Sequence, residues 1–212
     1  MNKLWVFGDS FSIPFNKYPW YCEFKGYTPM TYYEIVANRY DMDVECHGIG
    51  GADNRSILDS IIPYLEQIKK NDLIIIGWTD WFRIRIVGDN GQWERLNPSH
   101  LNQPTVNLKN FSNKTIKELI INRESIKYIQ EMNDLIKLIK FTFRDNIVID
   151  WCWIDEDNVL NCSIPHIGRQ VTIKEETNDL IGDYHWGEEG HINLSKAIIN
   201  HLTPIIKPTR LI

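Results

Sequence analysis

Short apolar runs alternate along this chain with longer stretches in which apolar residues recur at helical spacing. The short runs predict four strands, at residues 3–7, 43–47, 73–76 and 146–151. The third run, Leu-Ile-Ile-Ile, is rich in β-branched side chains, as is typical of a central strand in a parallel sheet. The pattern therefore predicts a buried sheet built from segments spread over most of the chain.

The stretches between these runs predict helices that connect one strand to the next. Helices are expected at 31–40, 55–69, 113–140 and 188–202, and the Thr-Pro pair at 28–29 marks a possible start for the first. Strands that alternate with helices predict an α/β fold, a three-layer α/β/α sandwich with a mainly parallel sheet. The length of 212 residues suits one domain that spans 1–212.

Three segments fall outside this rhythm and are interpreted as loop insertions, near 13–27, 81–112 and 153–183. Within the second, residues 84–96 alternate around Gly-Asp-Asn-Gly, which predicts a β-hairpin. Arg83 and Arg85 alternate there with isoleucines and are expected to face solvent. Each insertion begins or ends close to a predicted site loop, so we expect binding loops or lids.

Composition and charge narrow the function classes. The net charge of −5 and the scattered Lys and Arg residues favour neither nucleic acid nor an anionic membrane surface. The apolar stretch at the N-terminus is too short for a signal peptide, and no run reaches transmembrane length, so a cytoplasmic protein without membrane insertion is expected. The four cysteines lack zinc-like spacing, so no metal is expected and free thiols are the default. Composition leaves the oligomeric state open.

The two ends of the chain carry residues that suit nucleophilic catalysis. Ser10 follows the first predicted strand in the sequence Gly-Asp-Ser-Phe-Ser at 8–12, which places its hydroxyl at the carboxyl edge of the sheet. Serine needs a neighbouring base, usually a histidine that an acid orients. His185 offers one, in the sequence Asp-Tyr-His at 183–185 just before the last helix. Asp9 is interpreted as a turn or helix-end residue, and His191 as a helix-surface or packing residue.

Taken together with two glycine-containing segments, these ends resemble the SGNH (GDSL-type) hydrolase family. The middle blocks are Gly-Ile-Gly-Gly-Ala at 48–52 and Gly-Trp-Thr-Asp at 77–80, each after a predicted strand. The resemblance implies a flavodoxin-like central sheet and a catalytic triad of Ser10, His185 and Asp183. It implies further that the amides of Ser10 and Gly51 form part of an oxyanion hole and that no cofactor is needed.

The chain departs from the family pattern at two positions. Thr79 stands where the family has an asparagine that donates a side-chain amide to the oxyanion, and Asn54 is an alternative donor. The family acid usually lies three residues before the histidine, whereas Asp183 lies two before, so Asp179 is the fallback. A serine with its base but an altered oxyanion hole keeps two kinds of function open, an enzyme and a binding module.

Tryptophans cluster around the predicted site loops. Trp78 and Trp81 flank the third block, and Trp186 adjoins the histidine, which predicts an aromatic-walled pocket for an acyl chain or a sugar face. The resemblance implies an ester hydrolase that acts through an acyl-enzyme on a small acyl ester or an O-acylated carbohydrate. The alternatives are a non-catalytic binding module with the same fold and an acyltransferase that uses the same triad.

Overall fold

The computed structural model describes residues 3–79, 83–87, 91–96, 118, 125–152, 160–164, 180–181 and 185–209. Within this part of the chain, eight strands are formed. In chain order they are β1 Lys3–Gly8, β2 Asp43–Gly48, β3 Leu73–Trp78, β4 Ile84–Val87, β5 Trp93–Leu96, β6 Ile147–Cys152, β7 Leu180–Ile181 and β8 His185–Trp186. The helices are α1 Pro19–Lys25, α2 Tyr32–Tyr40, α3 Asn54–Ile61, α4 Ser125–Thr142 and α5 Glu188–Leu202.

The central sheet contains four parallel strands in the order β2-β1-β3-β6. The first strand of the chain lies inside the sheet between the second and the third, which is the order of flavodoxin-like sheets. All four predicted strands are therefore present. The predicted α/β class with a parallel sheet is confirmed.

Two hydrophobic clusters cover the two faces of the sheet, because successive side chains of a strand point in opposite directions. On β1, Leu4 and Val6 pack on the side of α2 and α5. Trp5 and Phe7 pack on the other side, with α3 and α4. The sheet thus forms the middle layer of an α/β/α sandwich, as predicted.

Two helix boundaries differ from the prediction. The expected helix at 55–69 is shorter than predicted: α3 ends at Ile61, and a 3₁₀ helix over Ile62–Tyr64 follows it. This second segment contains Pro63, and proline lacks the N–H that an α-helix would need there. The first crossover helix begins at Tyr32, one residue after the predicted start at 31. Thr31 is its N-cap, in a capping box in which its backbone N–H donates to the carboxylate of Glu34 at 2.7 Å.

The described parts of the insertions contain regular secondary structure. The segment 13–27, predicted as a loop, contains α1, which begins at Pro19. The predicted hairpin is present, with β4 and β5 paired antiparallel. Residues 113–117 and 119–124 of the predicted helix 113–140 lie outside the described residues. None of the helices in the described part of the chain is long and apolar enough to cross a membrane.

Candidate active site

The register of the sheet brings the three glycine-containing blocks to one edge. Gly8 at the end of β1 pairs with Gly48 of β2 and with Gly77 of β3. Ser10 and Thr79 each lie two residues beyond these paired glycines. Since the strands are parallel, the segments that follow them leave the sheet on the same side, where ligands bind in open α/β folds.

Ser10 opens a 3₁₀ helix that spans Ser10–Ser12, and Asp9 is its N-cap. The Oδ1 atom of Asp9 accepts a hydrogen bond from the backbone N–H of Phe11 at 3.1 Å, so Asp9 is the helix-end residue that the sequence predicts. Ser10 is 7% exposed. Its hydroxyl oxygen has no hydrogen-bond partner among the described residues.

The segment around Ser10, residues 9–12, is called the serine turn below. Hydrogen bonds connect its last residue, Ser12, to α2 and to β2. The Ser12 hydroxyl and the Tyr32 hydroxyl are hydrogen-bonded at 2.9 Å, and the Cys46 thiol donates to the carbonyl of Ser12 at 3.0 Å. Burial raises the pKa of both Tyr32 and Cys46, which keeps the hydroxyl and the thiol protonated. At Gly48 a Cβ would lie only 2.6 Å from the Ser12 carbonyl, so the close approach requires glycine.

Asp9 also forms a buried ion pair that sequence reasoning missed. Its Oδ2 atom lies 3.0 Å from Nη1 of Arg83, and the same nitrogen donates to the carbonyl of Ala52 at 3.4 Å. The prediction that Arg83 and Arg85 face solvent is wrong. The Arg83 side chain is only 10% exposed, and Arg85 is bound to Asp59 at 2.7 Å. Alternation along a hairpin indicates which residues share a face but not what covers that face.

A tight turn follows β2 and carries Gly51. The N–H of Ala52 donates to the carbonyl of Ile49 at 3.2 Å, and Gly51, third in the turn, has a φ of 65°. Glycine adopts this left-handed conformation without strain. The N–H of Gly51 lies outside the hydrogen bond that closes the turn. This amide is the one that the family resemblance assigns to the oxyanion hole.

Asn54 holds Thr79 through the Thr79 backbone. Its Oδ1 accepts from the N–H of Thr79 at 2.8 Å, and its Nδ2 donates to the carbonyl of Thr79 at 2.8 Å and to the hydroxyl of Tyr128 at 3.0 Å. Both hydrogens of the Asn54 amide are therefore engaged. The Thr79 hydroxyl is fully buried and has no hydrogen-bond partner among the described residues. Of the Asn54 and Thr79 side chains, that of Thr79 has a hydrogen-bond donor that no described residue engages.

His185 reaches the serine turn from the other end of the chain. It pairs with Ile181 across the short β7–β8 ribbon, and its ring lies 5.0 Å from that of Phe11. Ser10 and His185 line one small cavity, with aromatic walls that include Tyr18. The structure therefore places the two residues on the wall of the same cavity, and their catalytic roles remain a prediction.

The remaining residues predicted for the site differ in their positions. Trp78 is fully buried and its indole N–H donates to Asp150 at 3.2 Å, so the prediction that it lines a substrate pocket is wrong. Trp186 lines the cavity of Ser10 and His185. His191 is buried in the packing, as expected, and its Nδ1 accepts from the N–H of Tyr32 at 3.1 Å. Three further predicted residues lie outside the described part of the chain: Trp81, Asp179 and Asp183.

No metal centre emerges from the geometry. Among the described residues, no group of three or more His, Cys, Asp and Glu side chains is placed to hold an ion. The described residues at the edge of the sheet present a hydroxyl, an imidazole and backbone hydrogen-bond donors.

Comparisons with known proteins give only structural neighbours. No family model matches the chain, and no curated protein does. One similar solved structure is a protein of the G-D-S-L family from Desulfitobacterium hafniense DCB-2, named as lipolytic, at 14% identity and a TM-score of 0.40 over 95% of this chain and 100% of that chain. Another is a lipase/acylhydrolase from Enterococcus faecalis, at 15% identity and a TM-score of 0.40 over 100% of both chains.

The first of these two structures is named for the G-D-S-L family, and the second is named as a lipase/acylhydrolase. The α/β/α architecture itself is established by the sheet and helices of this chain. The roles of individual residues rest on the geometry described above.

Proposed function

We propose that this protein is a serine ester hydrolase of the SGNH type that acts through an acyl-enzyme. The observation that carries the proposal is the cavity shared by Ser10 and His185 at the carboxyl edge of the sheet. These residues are 175 positions apart in the sequence, and the fold brings them to one place. A buried serine hydroxyl with no other partner among the described residues suits a nucleophile that awaits its base.

In the proposed reaction, Ser10 Oγ attacks the ester carbonyl while His185 accepts the hydroxyl proton. The tetrahedral intermediate collapses when His185 returns that proton to the leaving alcohol. Water then attacks the acyl-enzyme with His185 as base, which releases the acid and restores Ser10. Asp183 is the proposed acid that orients the imidazole, with Asp179 as the fallback, and neither lies in the described part of the chain.

The oxyanion hole is proposed to combine the amides of Ser10 and Gly51 with the hydroxyl of Thr79. Thr79 is supported by its buried hydroxyl, which no described residue engages. Asn54, the alternative donor, would first have to release one of its two hydrogen bonds. Its proposed contribution is therefore to hold Thr79, so that the hydroxyl can replace the family's asparagine amide.

The proposed substrate is a small acyl ester or an O-acylated carbohydrate. Phe11, Tyr18 and Trp186 form aromatic walls beside Ser10 and His185, and such surfaces suit a short acyl group or the apolar face of a sugar. Hydrolysis needs no cofactor in this mechanism, because the nucleophile and the base both belong to the chain.

Covalent labelling of the purified protein tests the proposal. A fluorophosphonate probe should attach to Ser10, as mapped by mass spectrometry, and hydrolysis of short-chain aryl esters should be abolished in Ser10→Ala. His185→Ala should lower both labelling and hydrolysis by about 10³-fold or more, because the serine loses its base. His201→Ala, an exposed histidine on α5, is the matched control and should leave both rates unchanged.

The same experiment separates the alternatives. If no adduct forms and no ester is turned over, the proposal fails and a non-catalytic binding module is favoured. If an adduct forms but the acyl group passes to an added sugar alcohol in preference to water, the protein is an acyltransferase. Asp183→Asn and Asp179→Asn, compared side by side, identify which aspartate supports His185.

A further inference from the structure

The ion pair between Asp9 and Arg83 joins two turns that the proposed function uses for different tasks. Asp9 immediately precedes Ser10, and its side chain is fully buried. One carboxylate oxygen caps the serine turn through the Phe11 N–H, and the other faces Arg83. A carboxylate removed from water needs such a partner.

The second contact of Arg83 reaches the glycine turn. Its Nη1 donates to the carbonyl of Ala52, the residue directly after Gly51, as well as to Asp9. One guanidinium nitrogen carries two hydrogens, so it can make both bonds at once. The turn after β1 and the turn after β2 are thus linked through a single atom that comes from the chain segment following β3.

We propose that Arg83 is a positioning residue that sets the distance between the two backbone donors of the oxyanion hole. The inference rests on the proposed function, which assigns these donors to Ser10 and Gly51. Each donor lies one residue from an atom that Arg83 holds, at Asp9 and at Ala52. Oxyanion stabilisation depends on donors preorganised to within tenths of an ångström, so loosening this link lowers the rate without removing a catalytic group.

Arg85, on β4, supplies a control from the same segment of the chain. It lies two residues further along and is also paired with an aspartate, at 2.7 Å from Asp59. Asp59 is 42% exposed, however, and lies on α3 away from the serine turn. Arg85→Met therefore removes a more exposed arginine–aspartate ion pair that has no recorded contact with either donor turn.

The test compares Arg83→Met with Arg85→Met, with active sites counted by fluorophosphonate titration. In Arg83→Met, kcat per titrated site should fall about 10²-fold with KM little changed, and affinity for a boronic acid inhibitor that mimics the tetrahedral intermediate should fall in parallel. Arg83→Lys should recover part of the loss, because an ammonium keeps the charge but not the guanidinium geometry. Arg85→Met should match the wild type.

Additional variants distinguish a positioning role of Arg83 from a general loss of folding. Arg83→Met leaves the Asp9 carboxylate buried without this partner, so its melting temperature should fall, and Asp9→Asn in the same chain should restore stability but not kcat. A purely structural role would lower the amount of titratable protein and leave kcat per site and boronate affinity at the Arg85→Met level. That outcome overturns the inference.

Hydrogen exchange keeps this inference separate from the proposed function. In Arg83→Met, amide exchange should rise together in residues 9–13 and 49–52, and in neither segment of Arg85→Met. Wild-type protein that neither reacts with the probe nor hydrolyses esters would refute the proposed function. Unchanged exchange in both segments of Arg83→Met would refute the link itself, whatever the activity.

Discussion

The serine side and the histidine side of the candidate site are held by different kinds of interaction. Around Ser10 the contacts are directional and polar: the cap and ion pair of Asp9, and the hydrogen bond between Ser12 and Tyr32. Around His185 the neighbours are rings, with Phe11 at 5.0 Å and Tyr18 at 6.4 Å between centroids. The contacts described for the serine turn are thus mainly polar, and those described for His185 are with aromatic rings.

Polar contacts hold the start of α5, at Glu188. The N–H of Glu188 donates to the Tyr21 hydroxyl at 2.7 Å, and its carboxylate accepts from Tyr27 at 2.7 Å and pairs with Lys25 at 3.2 Å. All three partners belong to α1 or the residues just after it. The 13–27 insertion therefore fastens the start of α5, which directly follows His185.

The difference teaches what each side can tolerate. Hydrogen bonds and ion pairs fix the direction of a particular atom, whereas ring packing stabilises a position through contact area and depends less on angle. We therefore expect substitutions on the serine side to change the rate per folded molecule. Substitutions of the residues that pack around His185, as distinct from the proposed base and its acid, should mainly change stability.

The largest effect is expected at Phe11, where the two sides touch. Phe11 lies in the serine turn, and its ring contacts both His185 and Trp186, the latter at 4.4 Å. Phe11→Ala should lower the free energy of unfolding by about 3–5 kcal/mol, because a buried aromatic leaves a cavity. Urea denaturation measures the loss. Phe11→Leu is the control and should retain most of the stability, and an equal loss in both variants would contradict the packing argument.

The next effect separates rate from stability on the serine side. Thr79→Val removes a buried hydroxyl with little change in shape, so it should lower kcat by about 10²–10³-fold, or about 2.7–4 kcal/mol of transition-state stabilisation. Its melting temperature should not fall, since no described residue bonds this hydroxyl. Ester hydrolysis per titrated site is the measurement. Thr79→Ser keeps the hydroxyl and should remain active, and a fully active Thr79→Val would remove Thr79 from the oxyanion hole.

The smallest effect is expected at the hydrogen bond between Tyr21 and the first residue of α5, Glu188. Tyr21→Phe removes the acceptor of the Glu188 N–H and should cost about 1–3 kcal/mol of stability, because a partly buried N–H is left unpaired. The activity per folded molecule should be close to that of the wild type, as measured at a temperature well below the transition. Tyr64→Phe, on the opposite face of the sheet, is the control. A large loss of kcat with unchanged stability would mean that α1 acts on the chemistry.

The sequence predicted the sheet well because its strands are local apolar runs that few other structures accommodate. It also located α5 at 188–202, as observed. The helix at 55–69 was overestimated, because the apolar periodicity continues beyond Pro63 and a periodicity argument does not register the missing N–H of proline. The short helix α1 was also missed, because the aromatic-rich segment 13–27 was interpreted as a loop.

By itself the sequence determined the fold class and the pair of residues, Ser10 and His185, that could share a site. Both follow from local signals: apolar periodicity, a serine after a strand, and a histidine before the last helix. Only the tertiary structure decided what surrounds them, such as Arg83 on Asp9, 74 positions away, and Asn54 on Thr79, 25 positions away. Residues so far apart in the sequence produce no periodic pattern that could predict their contact, because the folding of the chain and not local spacing brings them together.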